Sequence, residues 1–352
     1  MEYYVDPNIK NTERIFPMQG REDFLRLDMN ENPEGLPADF VEEVKKEITP
    51  SFLSRYPEPE RFRKKYAGYL GAAPEQVFVA NGTDQVIRYA LWTFAEKGKE
   101  VLTVTPSFEM YRINCMLLGL VHKAVPYEPD LTIDVTKILS AISEETRVVV
   151  LVNPNNPVGN VYSKEDFSAI LKRASEVNDV VFVDEAYHYF CETTELPFAL
   201  SEENVLVFRT FSKLFSIPAL RLGAAIGNEK LIRYLKSGQL SFDVNAVALL
   251  FGERLLDRQD LIDRLIRAER EGKKWLADRL TEAGYEFIPC QGNYLLIKTK
   301  KNPKDTEKTL FTHKILVHTY GNPALSDYLR VTTASVTAMK RFYEAFSEAE
   351  AL

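Results

Sequence analysis

A lysine with hydroxyl and guanidinium neighbours is the strongest chemical signal in the sequence. Residues 209–213 read Arg-Thr-Phe-Ser-Lys, and Arg221 follows in a Leu-Arg-Leu-Gly run. Lys213 could act as a nucleophile only as the neutral amine, which a desolvated pocket or a nearby cation favours by lowering its pKa. Thr210, Ser212 and Arg221 offer the hydroxyl and guanidinium donors that phosphate groups prefer. The segment predicts lysine chemistry beside a phosphate or, as the plainer alternative, a surface charge.

An acidic residue closes an apolar run at residues 180–187, which read Val-Val-Phe-Val-Asp-Glu-Ala-Tyr. A carboxylate at the end of a buried strand is costly unless a cation pairs with it. A protonated pyridine nitrogen would be such a partner for Asp184, and the pairing would keep the ring an electron sink. Tyr187 could then donate to a ring hydroxyl. The alternatives are a metal-binding or helix-capping aspartate.

Two turn-forming segments complete the set of candidate motifs. Residues 153–159 read Asn-Pro-Asn-Asn-Pro-Val-Gly, and residues 81–84 read Asn-Gly-Thr-Asp before a helical pattern. The first could present an asparagine side chain to a ligand, or could be only a rigid loop. The second could bind a phosphate through free backbone N–H groups at the start of a helix, or could be only an N-cap.

Other common site patterns are missing from the sequence. Glycine-rich nucleotide-binding motifs (GxGxxG and GxxxxGK[ST]) and the zinc motif HExxH do not occur, and the four histidines have no ligand spacing. The three cysteines are far apart, without a CxxC pair. These observations argue against dinucleotide-binding, P-loop and zinc-hydrolase functions, and we expect no metal and no disulfide framework.

The elements that must position these motifs read as alternating strands and helices. Apolar runs predict strands at 77–80, 101–104, 147–152, 180–183 and 205–208, and amphipathic patterns predict helices at 84–95 and 164–177. Continuous apolar strands separated by helices indicate a mostly parallel sheet that is covered on both faces. Ligands of such sheets bind at the carboxyl ends of the strands, where the motifs fall.

The alternation of apolar strands and helices ends at about residue 240. A charged helical stretch at 246–283 precedes short strands at 294–298 and 315–318 and a closing helix at 336–349, while the lysine-rich segment 298–308 reads as a solvated loop. We therefore predict a polar N-terminal arm (1–27), a large α/β domain (28–240) and a smaller α+β domain (241–352).

Charge and hydropathy limit the partners. A net charge of −7 and a sequence pI near 5.4 argue against nucleic acid, and dispersed basic residues argue against a membrane surface. No apolar run approaches the roughly 20 residues of a membrane helix, and the acidic N-terminus does not resemble a signal peptide. We expect a protein of the reducing cytoplasm that acts on small molecules.

The order and spacing of the motifs resemble the fold-type I, class I/II pyridoxal-phosphate-dependent aminotransferases, and within them the histidinol-phosphate aminotransferase-like group. The resemblance runs from residues 27–33 (Leu-Asp-Met-Asn-Glu-Asn-Pro) through 54–59 (Ser-Arg-Tyr-Pro-Glu-Pro) to 329–332 (Leu-Arg-Val-Thr). It covers nearly the whole chain. It implies an aspartate aminotransferase-like fold, with a mostly parallel seven-stranded sheet in the large domain, and a homodimer with shared sites.

The same resemblance assigns roles around pyridoxal 5′-phosphate. Lys213 is expected to be the Schiff-base lysine that moves a proton between the Cα and C4′ positions, and Asp184 is expected to pair with the pyridine nitrogen. Phe108 matches an aromatic residue that stacks on the ring. The remaining expected cofactor contacts are Tyr187 and Asn156 at the ring oxygen, and Gly82, Thr83, Asp84, Thr210, Ser212, Arg221 and the partner subunit's Tyr56 at the phosphate.

The substrate end is where the sequence departs from the group. Arg330 matches the arginine that clamps an anionic substrate group, with Asn32 and His318 nearby. Histidinol-phosphate enzymes typically have an arginine where this chain has His318, and a tyrosine where it has Phe16. Loss of a fixed guanidinium and a hydroxyl would weaken the hold on a phosphate dianion, so a different amino acid or a small amino phosphate is predicted at least as strongly as histidinol phosphate.

The predicted activity is transfer of an amino group to a keto acceptor in two half-reactions. One alternative is a decarboxylase of the threonine-phosphate type, which shares the fold and the cofactor. Another is a non-catalytic ligand-binding regulator, which the intact set of lysine, aspartate and phosphate-binding residues disfavours.

Overall fold

The computed structural model describes residues 3–10, 12 and 18–351. In this part of the chain the strands are β1 (Leu25–Arg26), β2 (Val77–Ala80), β3 (Glu100–Thr105), β4 (Val121–Pro126), β5 (Thr146–Val152), β6 (Val180–Asp184), β7 (Val205–Thr210), β8 (Gly223–Gly227), β9 (Phe287–Ile288), β10 (Tyr294–Lys298), β11 (Ile315–Leu316), β12 (His318–Thr319) and β13 (Tyr328–Thr332). The α-helices are α1 (Pro7–Lys10), α2 (Ala38–Lys45), α3 (Pro50–Leu53), α4 (Pro59–Leu70), α5 (Thr83–Phe94), α6 (Met110–Leu118), α7 (Val135–Ala141), α8 (Lys164–Glu176), α9 (Leu196–Ser201), α10 (Glu229–Gly238), α11 (Ala246–Leu256), α12 (Gln259–Glu282), α13 (Pro303–Thr312) and α14 (Val336–Glu350).

The large sheet has seven strands in the order β2-β8-β7-β6-β5-β3-β4 within the described residues. All neighbouring pairs are parallel except those that β8 makes with β2 and β7. Side chains of β6 alternate between two cores, with Val181 and Val183 in one and Phe182 in the other. The predicted α/β class, with a mostly parallel sheet covered on both faces, is confirmed.

Two strands of this sheet were not predicted, for physical reasons. β4 lies at the edge of the sheet and carries His122 and Lys123, so it lacks a continuous apolar run. β8 consists of two glycines, two alanines and Ile226, and such small residues have weak strand propensity. The packing of the sheet, rather than local preference, places both strands.

The C-terminal part forms a four-stranded antiparallel sheet in the order β12-β13-β10-β9. The predicted strand at 315–318 is divided, because β11 pairs with β1 while β12 pairs with β13. The predicted helical stretch 246–283 is likewise two helices, α11 and α12, separated near Arg258, whose backbone is not helical.

The predicted loop at 298–308 is wrong in its second half, where α13 begins at Pro303. The Asn302 side chain caps this helix by accepting a hydrogen bond from the backbone N–H of Lys304. The lysines occupy the exposed face, while Thr306 and Leu310 are buried. A charge-rich sequence therefore concealed a narrow buried face.

The end of the predicted N-terminal arm packs with the C-terminal residues. Leu25 and Leu27 share a core with Leu276, Ile315 and Phe342. The predicted domain bounds stay a prediction, and Phe16 lies outside the described residues. None of the helices described is both long and apolar enough to cross a membrane.

Candidate active site

A cavity of about 500 Å³ opens at the carboxyl ends of strands in the large sheet. Its walls come from the segments after β2, β3, β5, β6 and β7 and from β12 and β13. Most of the predicted site residues line it: Thr83, Asp84, Phe108, Asn156, Asp184, Tyr187, Thr210, Ser212, Lys213, Arg221, His318 and Arg330. The rule that ligands bind beyond the carboxyl ends of parallel strands therefore located the cavity.

Lys213 stands in the turn that follows β7, with its amine inside the cavity. Its Nζ donates a hydrogen bond of 2.7 Å to the backbone carbonyl of Met29. Burial, and next the positive charge of Arg330, lower the pKa of Lys213 to about 8. A substantial fraction of the amine is therefore neutral near physiological pH, as a lysine nucleophile requires.

Asp184 ends β6 with a side chain that is only 2% exposed. One carboxylate oxygen accepts the backbone N–H of Ala186 (3.1 Å) and the other accepts the hydroxyl of Tyr111 (2.9 Å). Burial raises the pKa of Asp184 to about 6, although both hydrogen bonds act in the opposite direction. A cationic ligand group at this carboxylate would relieve the cost of burying its charge.

Tyr187 is held by two amide groups. Its hydroxyl oxygen accepts from the side-chain amide of Asn30 (2.9 Å) and from that of Asn156 (3.2 Å). Burial raises the pKa of Tyr187 to about 12, so the phenol keeps its proton. Because both bonds are received by the oxygen, its own O–H is available to a ligand.

The start of α5 and Arg221 form an anion cradle that fits a phosphate. Gly82 has a φ of 87°, and a Cβ added there would lie 2.6 Å from Nη2 of Arg221. Thr83 begins the helix with a buried hydroxyl that has no hydrogen-bond partner among the described residues. Arg221 is anchored by Asp84 at 3.1 Å and by the carbonyl of Pro218 at 3.0 Å. An unpaired donor, a helix N-terminus and a guanidinium converge on one point.

Arg330, on β13, is fixed by two hydrogen bonds and keeps one donor free. Nη1 donates to the side-chain oxygen of Asn156 (2.8 Å) and Nη2 donates to the carbonyl of Asp28. Its buried Nε has no partner in the described structure. The guanidinium also faces the rings of Tyr294 and Tyr320, 5.8 and 5.9 Å from their centroids. A rigid guanidinium with a free N–H suits an anionic substrate group.

A buried ion pair outside the cavity lining connects the ends of β6 and β7. Arg209 donates to the carboxylate of Glu185 from Nη2 (2.8 Å) and from Nε (3.1 Å), and both side chains are at most 5% exposed. The carboxylate also accepts the hydroxyl of Thr194 at 2.9 Å. Glu185 follows Asp184 and Arg209 precedes Thr210, so the pair fixes two strand ends that carry site residues.

Three predicted residues do not line the cavity in this chain. Asn32 points away and donates to the carbonyl of Gly35 (3.1 Å) and to the hydroxyl of Ser216 (2.9 Å). Tyr56 is 75% exposed and stacks on the ring of Phe242 at 4.4 Å. Gly82 contributes only the backbone turn before Thr83. The roles predicted for them stay predictions.

Three residues that the sequence patterns did not single out also belong to the site. Asn30 has a φ of 54°, its side-chain amide donates to the hydroxyl of Tyr187, and its backbone carbonyl accepts the side-chain amide of Asn293. Tyr111 binds Asp184, and Tyr320 presents a buried hydroxyl without a partner in the part of the chain described. Asn30 lies inside the quoted segment 27–33 and Tyr111 stands three positions after Phe108, but no sequence signal separates either of them from its neighbours. Across residues 3–10, 12 and 18–351, no group of three or more metal-ligand side chains is placed to hold a metal.

Comparisons with known proteins identify a family for this chain. The family described as aminotransferase class I and II matches residues 22–345. A histidinol-phosphate aminotransferase of Caldanaerobacter subterraneus subsp. tengcongensis is 32% identical over 327 residues, covering 92% of each chain. Another, from Thermoanaerobacter sp., is 30% identical and covers 89% of each.

Solved structures with the same fold include two that cover almost the whole chain. A histidinol-phosphate aminotransferase from Sinorhizobium meliloti in complex with pyridoxal-5′-phosphate has a TM-score of 0.90 at 20% identity, covering 99% of this chain and 98% of its own. An aspartate aminotransferase from Thermus thermophilus with maleate has a TM-score of 0.80 at 20% identity, covering 99% and 100%. These likenesses show the fold.

Proposed function

This chain belongs to the class I and II aminotransferases, and from that premise we propose that it transfers the amino group of a small anionic amine to a keto acid in the cavity around Lys213. Membership confirms the predicted family, the predicted class of enzyme and the predicted cofactor, pyridoxal 5′-phosphate. The observation that carries the proposed site is the presence in one cavity of a lysine with a lowered pKa and a deeply buried aspartate.

When bound, pyridoxal 5′-phosphate supplies an aldehyde that bonds to amines and a ring that accepts electrons released at the substrate Cα. The residues present fit its parts. The unpaired hydroxyl of Thr83 and the guanidinium of Arg221 would hold the phosphate. Asp184 would pair with the ring nitrogen, and Tyr187 with Asn156 would hold the ring oxygen.

Lys213 has the properties of the group that moves the proton. With a pKa of about 8, its amine can accept a proton at the substrate Cα and give it back within one turnover. The hydrogen bond to the Met29 carbonyl keeps Nζ inside the cavity while the amine is free. Phe108 also lines the cavity and would exclude water from one face of the ring.

Arg330 is the residue that we propose for the anionic end of the substrate. Its two structural bonds leave Nε and the outer N–H groups for a carboxylate or phosphate. His318 lies at the exposed rim, with its ring 4.7 Å from that of Tyr320. Both relatives described above are named histidinol-phosphate aminotransferases. We therefore propose histidinol phosphate or an amino acid of similar size as the amino donor.

A homodimer would complete the site. Tyr56, Phe242, Leu53 and Leu240 are apolar or aromatic side chains that are at least 59% exposed, as expected of a surface covered by a second copy. We propose that Tyr56 reaches the partner subunit's cofactor phosphate. The three free cysteines fit the reducing cytoplasm as the place of action.

The test is a pair of lysine variants examined with added pyridoxal 5′-phosphate. Lys213→Ala should lose both the visible absorbance of the lysine-bound cofactor and all amino transfer, because the covalent attachment is gone. Lys172→Ala, which removes an exposed lysine on α8, should match the unaltered protein. Retained transfer in Lys213→Ala would refute the assignment.

The substrate is found by screening amino donors for conversion of the bound cofactor to its pyridoxamine form. A donor that releases carbon dioxide without that conversion would identify a decarboxylase instead. A protein that binds the cofactor but converts no donor would fit the ligand-binding regulator.

A further inference from the structure

Tyr111 is buried against Asp184 and takes no part in the functions assigned above. It lies on α6 with 1% of its surface exposed, and its hydroxyl donates to Oδ2 of Asp184 at 2.9 Å. The other oxygen, Oδ1, is taken by the backbone N–H of Ala186. Each carboxylate oxygen therefore has one fixed donor from the protein, and the two donors come from different elements.

The surroundings of Asp184 oppose its ionisation, so the two hydrogen-bond donors matter for its charge. Burial opposes its ionisation, and the carboxylates of Asp84 and Glu185 add like charge nearby. Tyr111 cannot itself supply charge, because burial raises its pKa well above the usual value and it stays a neutral donor. Of the groups that act on Asp184, the Tyr111 hydroxyl is the largest that favours the ionised form, ahead of the Ala186 N–H.

We propose that Tyr111 is a positioning residue that keeps the Asp184 carboxylate ionised and aimed at the ring nitrogen of the cofactor. This inference rests on the proposed function of the cavity. It adds a hydroxyl from α6, behind the carboxylate, to the set that controls the proton on the ring nitrogen. A buried hydroxyl with a purely structural role could donate its hydrogen bond to any nearby acceptor. The Tyr111 hydroxyl donates to the carboxylate that we propose as the partner of the cofactor ring nitrogen.

Removing the hydroxyl should have a defined sequence of effects. Tyr111→Phe keeps the ring packed in its place and removes only the donor, so Asp184 loses a bond that favours its charge. The carboxylate then takes up a proton at higher pH, and its partnership with a protonated ring nitrogen weakens. Loss of one hydrogen bond to a charged group corresponds to about a tenfold to hundredfold weaker interaction.

The structure offers a matched control in Tyr89. This tyrosine is also buried, and its hydroxyl also donates to an aspartate, Asp243, at 2.9 Å, but neither residue lines the cavity. Tyr89→Phe therefore removes a tyrosine-to-aspartate hydrogen bond that lies outside the cavity, together with the acceptor of the Leu240 backbone N–H (3.2 Å).

The experiment measures pyridoxal 5′-phosphate binding to the full-length protein between pH 5 and 8, together with the ¹⁵N resonance of ring-labelled cofactor. In Tyr111→Phe we expect about tenfold or greater loss of affinity, an onset of acid weakening about one pH unit higher, and a ¹⁵N shift toward the unprotonated pyridine. Tyr89→Phe should match the unaltered protein in all three.

The outcomes separate the two hypotheses. If the unaltered protein does not bind the cofactor at all, the proposed function fails. If it binds normally and Tyr111→Phe leaves the ¹⁵N resonance and the pH profile unchanged, only the role of Tyr111 is overturned, even if that variant unfolds more easily. A ¹⁵N change of equal size in Tyr89→Phe would also overturn it.

Discussion

Removal of Arg209 should destabilise the protein far more than removal of a surface arginine. In Arg209→Met the carboxylate of Glu185, which is 1% exposed, keeps only the Thr194 hydroxyl and nearby backbone as partners. An unpaired buried charge costs about 3–5 kcal/mol, which is a factor of roughly 10² to 10⁴ in the ratio of folded to unfolded protein. The ion pair also fixes the ends of β6 and β7, so cofactor binding should weaken together with stability.

The assay is urea unfolding monitored by circular dichroism, with the midpoint and slope compared between variants. Arg258→Met is the control, because Arg258 and its partner Asp260 are 38% and 67% exposed and such pairs contribute about 0–1 kcal/mol. The double variant Arg209→Met with Glu185→Gln should recover at least about 1 kcal/mol, since neither position of the pair then carries a charge. A loss below about 1 kcal/mol in Arg209→Met, equal to the control, would refute the reasoning.

Three further outcomes follow from the geometry of the cavity. The rate at which the cofactor-free protein binds pyridoxal 5′-phosphate covalently should rise about tenfold between pH 7 and 9 and then level, because the neutral fraction of the Lys213 amine rises with a pKa of about 8. Stopped-flow absorbance measures this rate, and a rate that still rises steeply above pH 10 would contradict the prediction. Gly82→Ala should weaken cofactor binding at least about tenfold, because the new Cβ would clash with Arg221 and the backbone φ of 87° is strained for alanine. Gly98→Ala is the control, since Gly98 also has a positive φ but has open space around it, and it should bind the cofactor normally. Fluorescence titration measures both affinities. Arg330→Gln should raise KM for anionic donors about tenfold or more in steady-state assays; an unchanged KM would show that the anion binds elsewhere.

The parts of the site that the sequence predicts are those fixed by strand ends. Asp184 follows an apolar run directly and Lys213 stands three residues after the end of β7, so the neighbouring parallel strands β6 and β7 bring both to one edge of the sheet. Tyr111 could not be found in this way, because its partner is 73 positions away and their contact depends on how α6 packs on the sheet. Tyr320 was missed because whether a hydroxyl finds a hydrogen-bond partner depends on the folded environment, which the sequence does not show.

The fold shows the same division between local and tertiary causes. β2 and β10 match their predicted bounds, since both are short apolar runs with clear limits. β8 was not predicted because its glycines and alanines have weak strand propensity and fit a closely packed position, with Gly223 against the backbone of Thr83. α13 escaped because its charged residues face water on a helix whose buried stripe is narrow.

Residues 28–30, near the N-terminus, hydrogen-bond three of the side chains that line the cavity. In three consecutive positions, the carbonyl of Asp28 accepts an N–H of Arg330, the carbonyl of Met29 accepts the amine of Lys213, and the side-chain amide of Asn30 donates to the hydroxyl of Tyr187. A shift of this single piece of main chain would therefore release the anion clamp, the nucleophile and the ring-oxygen donor at once. An exchange of chain between relatives that extends through residue 30 would therefore transplant part of the active site itself.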